Sequence, residues 1–470
     1  MELTVNVKNF GRIKDAKVRL APFSVVAGSN SSGKSFLTRA LYSVFSTINK
    51  DYITQEARQL LSPIKHLLRY GYININSPSQ KVDQIHFNLM EIVELIDESI
   101  GSALEGCTLL EQHAISLMLE DKIKSAEDLC EQLQKEIANK KKYEEFEKRL
   151  RVLSRNLKFL KSTIKNPVEV LSRRLSTEFS NSLKENFQVS TLSELKSHSA
   201  KKDESIRLEF DELGEIVIDK EHIDFTLNQH SIAQFQELHN VVFVESPIYW
   251  KLRKPLLDVR LRQRNSLFSF KKDDQVLLGV PKFFYDLMDL LDVHLKLEKN
   301  TNNFQEILDR LNQTLSGELE ISENGELFFK DEKTLKNINL NITATGVTNL
   351  GVIGLLLKKN VISKGSFVFI DEPEVNLHPA WQKIMIETLY ELSRMGINVV
   401  IATHSIDMIR YIENIMNDLT EEEVNEHFAI NRLSNEGVSL NEYSDPKTSL
   451  YEIKTDLGDS YYNMVLEGGW

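Results

Sequence analysis

Two cysteines, Cys107 and Cys130, are all that 470 residues hold, too few for a disulfide framework or a structural zinc site. Long apolar runs are missing as well. The longest lies near "LGVIGLLL" (350–357), far short of the roughly 20 residues that span a bilayer. The N-terminus "MELTVNVKNF" opens directly on an alternating strand pattern, without the basic segment, apolar core or cleavage site of a leader, so the expected compartment is the cytoplasm. Positive charge is also in deficit. With 57 Lys and Arg against 69 Asp and Glu the formal charge is −12, which argues against a chain that coats nucleic acid nonspecifically but leaves room for a local basic groove. What remains, 41% apolar and 27% charged residues, is the composition of an ordinary globular chain with length for two or three domains.

The first chemical signal is near the start, where "LAPFSVVAGSNSSGKSFLTRALYSVF" runs from an apolar strand through a loop of small residues into a helical pattern. Gly28, Gly33, Lys34 and Ser35 complete G-x-x-x-x-G-K-S. Backbone N–H groups from Gly28 through Ser29, Asn30, Ser31, Ser32 and Gly33 to Phe36 are expected to curl around phosphates, and the helix N-terminus adds partial positive charge. Lys34 is expected to reach the β- and γ-phosphates of ATP, with the Ser35 hydroxyl on Mg²⁺.

A P-loop of this kind needs an acid at the carboxyl end of a second strand, expected beside the P-loop strand, because ligands sit at the carboxyl ends of parallel strands. "GSFVFIDE" supplies it: Asp371 is predicted to serve the metal and Glu372 to polarise the attacking water. After the helical pattern "AWQKIMIETLYELSRMG", another buried strand, "INVVIATHS", ends at His404. A histidine in that place is either a satisfied structural residue or a third component of the same site.

Together "NFGRIKDAKVRLAPFSVVAGSNSSGKS", "FVFIDEPEVNLHPAWQ" and "VVIATHS" resemble the ABC-type nucleotide-binding domain of the RecF, SMC and OLD group of ATPases, and the Glu-Pro-Glu-x-x-Leu-His-Pro run resembles the OLD-like branch. The resemblance covers roughly residues 1–50 and 340–415. It implies an α/β fold: a split ABC-type P-loop ATPase head with an N-terminal antiparallel β subdomain and a large, mainly helical insertion. It further implies that two heads sandwich ATP, with Glu372 as base, Asn376 to His378 as the D-loop at the dimer interface and His404 as the γ-phosphate switch. The signature segment offered to the partner's P-loop is expected in "NLNITATGVTNLGVIGLLLKKN", where Ala344-Thr345-Gly346 replaces the family's usual Ser-Ser-Gly or Ser-Gly-Gly. Thr345 keeps a hydroxyl, and Gly346 lets the backbone approach a phosphate at a helix start.

Five segments follow from this division: the P-loop part at 1–50, a mainly helical insertion at 51–240, a strand, basic segment and β-rich region at 241–340, the signature, acid strand and switch histidine at 341–415, and a hairpin and helix at 416–470. In the insertion Phe146, Leu150, Leu153, Leu157, Leu160 and Ile164 alternate by four and three, a heptad seam under three heptads long that predicts a hairpin or bundle. The cations between them, Arg149, Arg151, Arg155, Lys158, Lys161 and Lys165, are read as a solvated face rather than a phosphate track. "SIRLEFDELGEIVIDKEHIDFTL" and "GELEISENGELFFKDEKTLKNINLNI" alternate as strands, the second turning at Asn324-Gly325. Between them, "NVVFVESPIYWKLRKPLLDVRLRQR" is a strand followed by six cations in fourteen residues, Lys251, Arg253, Lys254, Arg260, Arg262 and Arg264. That segment is either an electrostatic funnel for nucleic acid or an acidic protein, or else a solvated helix face or a lever under the nucleotide site. No glutamine stands out as the loop that couples it to Mg²⁺.

Only 66 residues follow His404, without an Asp-x-Asp cluster or a Cys/His metal pattern, so any nuclease is expected on a separate polypeptide. In size and organisation the chain resembles the ATPase subunit of the two-component anti-phage system PARIS, and next that of Septu. That resemblance implies a homo-oligomer, at least a dimer of heads and in PARIS a larger ring, that restrains a TOPRIM-type nuclease or toxin effector until a viral trigger protein arrives. Two other classes stay open: a RecF- or SMC-like DNA clamp, with steeply salt-dependent affinity, and a regulatory ATP-binding module with negligible turnover.

Overall fold

The computed structural model describes residues 2–72, 75, 77–104, 107–211, 213–245, 247–264, 279–294, 304–322, 325–440 and 445–467. The chain divides into two compact units, Met1–Thr47 with Phe179–Thr226 and Leu238–Trp470, and Ile48–Glu178 with Leu227–Glu237.

Alternating residues build the first sheet of the first unit. Strands β1 (Leu3–Phe10) and β2 (Ile13–Leu20) form a hairpin in which Val5, Val7 and Phe10 face Val18, Ala16 and Ile13 across an antiparallel ladder. After them come β3 (Phe23–Ala27), which carries the P-loop, and then β4 (Ile206–Phe210), β5 (Gly214–Asp219) and β6 (His222–Leu227). The sheet order β2-β1-β4-β5-β6 places the "SIRLEF" segment on the free edge of β1. The expected insertion at 51–240 therefore divides differently. Residues 179–226 belong to the first unit, because β1 needs a second antiparallel partner and β4 supplies it.

The second sheet holds the chemistry. Strands β7 (Val241–Val244), β11 (Phe367–Asp371), β12 (Asn398–Thr403) and β13 (Phe428–Arg432) join β3 in the order β13-β3-β12-β11-β7, every pairing parallel. Every residue of β3, β7, β11 and β12 is buried, as expected for strands covered on both faces, and this is why they read as continuous apolar runs. The helix Lys34–Ile48 covers one face by setting Tyr42 and Phe45 against Phe243, Phe367 and Phe369. Phe369 pairs with Val400 and Val400 with Ser24, so Phe23 points to the opposite face, where Tyr390 of the helix Pro379–Arg394 meets it. The acid strand is expected directly beside the P-loop strand. In the sheet β12 stands between them, because the helix Pro379–Arg394 returns β12 to the neighbouring edge of β11 and leaves its other edge for β3.

A third, antiparallel sheet, β10-β9-β8, is made of β8 (Gly317–Ile321), β9 (Leu327–Asp331) and β10 (Asn337–Asn339). Its first turn contains Gly325, while Asn324 lies outside the described residues. The helix Thr345–Lys358 packs on β8 so closely that a Cβ on Gly351 would stand 2.8 Å from Leu319.

The second unit is a bundle in which the helices Tyr52–Tyr72, Gln80–Ser99, Leu109–Ile137 and Glu144–Lys165 share one apolar core. All six seam residues from Phe146 to Ile164 are buried in it. On the other face of that helix Arg149 and Arg151 pair with Glu145 and Glu147 one turn back, and Lys161 reaches Glu127 at 2.8 Å. Leu157→Ala is expected to destabilise this unit by about 3 kcal/mol through lost burial and a residual cavity, whereas Arg151→Ala should stay within about 0.5 kcal/mol. Urea unfolding followed by hydrogen exchange in 144–165 checks both.

Candidate nucleotide-binding and hydrolysis site

The P-loop leaves the end of β3 at Gly28 and enters the helix Lys34–Ile48. Gly28 is required by crowding, since a Cβ there would come within 2.5 Å of the Leu433 carbonyl oxygen and 2.9 Å of Ser32 Oγ. Ser31 and Gly33 take φ values of 67° and 100°, which fold the loop back on itself. Lys34 lies along the inside of the loop, Nζ donating to the carbonyls of Gly28 (3.0 Å) and Ser29 (2.9 Å). Burial pulls its ammonium below the ordinary lysine value, against Asp371, Glu372 and Glu374, whose charges push it back up. Ser32 Oγ is buried without a partner, and Ser29 and Asn30 are exposed at the tip. The Phe36 ring packs against Phe10 and Phe187, so its part in phosphate binding is limited to the main chain.

Asp371 closes β11 with its carboxylate accepting from Ser35 Oγ at 3.1 Å. Burial, reinforced by Glu245 and opposed by the Ser35 hydroxyl and Arg39, pushes its carboxyl up to about 7. A divalent cation would relieve that strain. Among the described residues no three His, Cys, Asp or Glu side chains converge to hold a metal by themselves. One hydroxyl with one carboxylate beside a phosphate loop fits Mg²⁺, which takes one or two protein groups and completes its shell with phosphates and water.

Glu372 follows with φ at 51°, a left-handed conformation uncommon outside glycine, and its N–H donates to the Ala402 carbonyl at 2.9 Å. That bend turns the carboxylate out of the strand and toward His404, whose Nδ1 lies 3.5 Å from Glu372 Oε1 and 3.4 Å from Glu374 Oε1. Lys34, Ser35, Asp371, Glu372 and His404, widely separated in sequence, therefore meet at the carboxyl edge of one parallel sheet.

The remaining predicted residues are placed by other neighbours. Thr345 opens its helix, and Gly346 lets that helix approach the loop after β11, where a Cβ would meet the Asn376 carbonyl oxygen at 2.6 Å. Asn349 donates to the carbonyls of Pro373 (3.1 Å) and Val375 (2.9 Å), fastening that helix to the loop after β11. Asn376 and His378 are exposed, and His378 Nδ1 caps the next helix by accepting from the Ala380 N–H at 3.3 Å.

Three contributors escaped the sequence reading. Glu245 follows β7 as Asp371 ends β11, pairs with Arg39 from the P-loop helix, and keeps Oε2 buried and unpartnered. Its signal was present, an apolar run "VVFV" ending in an acid, the same grammar as "FVFID". Glu374 is the second. The third is the turn after β13, where Asn435 hydrogen-bonds Ser29 and the Gly437 carbonyl accepts from Lys14 N–H at 2.8 Å. Among the described side chains of the basic segment, Lys251 donates to the Thr343 carbonyl at 2.7 Å, Arg253 is buried against Asp292 and the Gly325 carbonyl, and Lys254 pairs with Glu326 at the surface. The side chains of Arg260, Arg262 and Arg264 lie outside the described residues.

The raised Asp371 carboxyl means that the folded protein binds this proton more tightly than the unfolded chain does. Its contribution to stability is therefore lost as pH rises from 3.8 through about 7. Asp371→Asn is expected to stabilise the nucleotide-free, divalent-free protein at pH 8 by up to about 4 kcal/mol, the advantage shrinking toward pH 4. Urea unfolding at the two pH values decides this, and an advantage that grows on acidification would refute it.

A family model described as an AAA ATPase domain matches residues 1–409. The Old nuclease of Escherichia phage P2 is 33% identical over 152 residues, 31% of this chain, and the match spans about a quarter (23%) of that relative's length. Similar solved structures include the SMC head domain from Thermotoga maritima, 10% identical with a TM-score of 0.32 over 87% of this chain and 92% of that one. Another is the Smc head domain with a coiled coil and joint derived from Pyrococcus yayanosii, 13% identical with a TM-score of 0.32 over 97% and 99%. Set beside a P-loop, an acid strand and a histidine strand that converge in one sheet, the match over residues 1–409 means that the chain belongs to the AAA ATPase domain family.

Proposed function

We propose that this chain hydrolyses ATP between two copies of itself and uses the cycle to control a separate effector protein. The observation that carries the hydrolytic reading is the convergence of the Ser35–Asp371 pair with Glu372 and His404 beside the Lys34 loop. Lys34 and the loop N–H groups hold the phosphates. Ser35 and Asp371 would hold Mg²⁺, which when bound neutralises charge on the β- and γ-phosphates. Glu372, bent out of its strand, polarises the attacking water, and His404 faces the γ-phosphate. Thr345 and Gly346 of one copy serve the P-loop of the other, with exposed Asn376 and His378 at the junction.

The effector reading is that of a two-component anti-phage system of the PARIS kind, in which the ATPase assembly restrains a nuclease or toxin, of TOPRIM type, until a viral protein is sensed. The relative from phage P2 is named a nuclease, and we place that activity on the effector. The engagement of Lys251, Arg253 and Lys254 within the fold, together with a net charge of −12, favours a protein partner over a DNA clamp. In that role Glu245 and Lys251 are the two ends of the lever between metal side and signature: Arg39 holds Glu245, and the Thr343 carbonyl accepts from Lys251.

Lys34→Ala is expected to abolish nucleotide binding in calorimetry. Glu372→Gln should keep binding, lose about 10²–10⁴-fold in turnover, and accumulate as an ATP-dependent dimer in light scattering. Unchanged turnover in Glu372→Gln rejects the site assignment. Copurification of the tagged chain from its native operon addresses the partner. A stoichiometric nuclease-like protein is expected, whereas a lone dimer that binds DNA only with ATP, with steep salt dependence, would replace this reading with the clamp.

A further inference from the structure

Glu374 is a buried acid with no part in the mechanism above. Its Oε1 accepts from Thr403 Oγ1 (2.8 Å) and from the His404 backbone N–H (3.0 Å), while Oε2 is buried and unpartnered. Those two hydrogen bonds tie the acid loop to the end of β12, and a glutamine carbonyl would accept both equally well. The negative charge is therefore not required by those bonds; it acts on the Lys34 ammonium together with Asp371 and Glu372, and burying it carries a desolvation cost. The same carboxylate also stands beside the His404 ring, Oε1 3.4 Å from Nδ1, at a place where Glu372 Oε1 stands 3.5 Å from the same nitrogen. Nδ1 itself is buried and makes no hydrogen bond, so two carboxylates flank one unsatisfied nitrogen.

The geometry points to Glu374 as a positioning residue that holds the His404 Nδ1–H, presenting Nε2 to the nucleotide and leaving the Glu372 carboxylate free for water. This rests on the hydrolytic reading of the site for its consequence, though not for the tautomer itself. A carboxylate beside Nδ1 favours the form protonated there, and Nε2, across the ring, becomes the nitrogen that the phosphate meets. Without that charge the Nδ1–H turns to Glu372 or is lost. In the first case the base is occupied by its own neighbour, and in the second the ring presents the wrong nitrogen. Either outcome slows the chemical step and spares the contacts that bind ATP, which come from the P-loop.

The test uses the full chain labelled with ¹⁵N-histidine, the His404 signals being assigned by their loss in His404→Ala. In the wild type Nδ1 is expected to carry a proton, and in Glu374→Gln the population should move toward the Nε2–H form. An Nε2–H tautomer in the wild type overturns the inference, whether or not any variant folds and whether or not the protein turns over ATP. In steady-state kinetics Glu374→Gln should lower kcat about 10- to 100-fold with KM for ATP within twofold. The same substitution in a His404→Ala background should change kcat less than twofold, because a residue that acts through His404 has nothing left to act on. Equal losses in the two backgrounds would mark Glu374 as merely structural. If Lys34→Ala leaves nucleotide binding intact, the ATPase reading fails while the tautomer result stands.

Discussion

Parallel pairing of β3, β12 and β11 is the constraint on which the site depends. The ladder sets Thr403 opposite Ala27 and Asp371 opposite Ala402, so three strands that begin in distant parts of the chain stop at the same level. In a parallel sheet all carboxyl ends emerge on one edge, and here that edge receives a lysine, a hydroxyl, an acid pair and a histidine. None of these side chains is held by a dedicated cage. Each is placed within a few ångströms of the others because backbone hydrogen bonds fix where its strand ends.

The charges gathered there explain each other. Lys34 would be hard to keep ionised under burial alone, and Asp371, Glu372 and Glu374 push the other way. Asp371 is in turn destabilised as a carboxylate by burial and by Glu245. The site holds more negative charge than its own cations offset, with Arg39 already paired to Glu245. Bringing in a triphosphate without a divalent cation would worsen that imbalance, and a Mg²⁺ held by Ser35 and Asp371 would offset it.

The parts legible in the sequence were those whose chemistry restricts residue types within one short stretch. A phosphate loop needs small residues followed by Lys-Ser, and a metal-side acid needs an apolar strand ending in Asp, so Gly28–Ser35 and Asp371-Glu372 could be read directly. The bundle was legible for a related reason, since seven-residue periodicity from Phe146 to Ile164 follows from helix geometry. What failed depended on pairing between distant segments. The strands at 206–227 were recognised by alternation but assigned by their position to the helical insertion, because nothing local says that β4 adds to β1. The place of β12 between β3 and β11 is likewise a property of the sheet. Arg253 reads in the sequence as one of six cations in a funnel, a solvated face or a lever, yet it is buried against Asp292 and a turn more than seventy residues on. Glu245 carried a readable signal that only its neighbour Asp371, 126 positions away, makes meaningful.

The strand β13 has a consequence for how the chain is made. On a ribosome, β3 is complete once residue 27 has been added, but its two sheet neighbours span 398–403 and 428–432, and the turn that braces the P-loop follows at 433–437. At about 5–20 residues per second, that strand waits roughly 20–80 seconds for either partner. During that interval the helical bundle, local in sequence apart from one short returning segment, can fold first, while an apolar strand with both edges bare must be sheltered. The nucleotide site is thus among the last parts of the protein to exist, and an interrupted chain would carry its phosphate loop without the sheet that makes it useful.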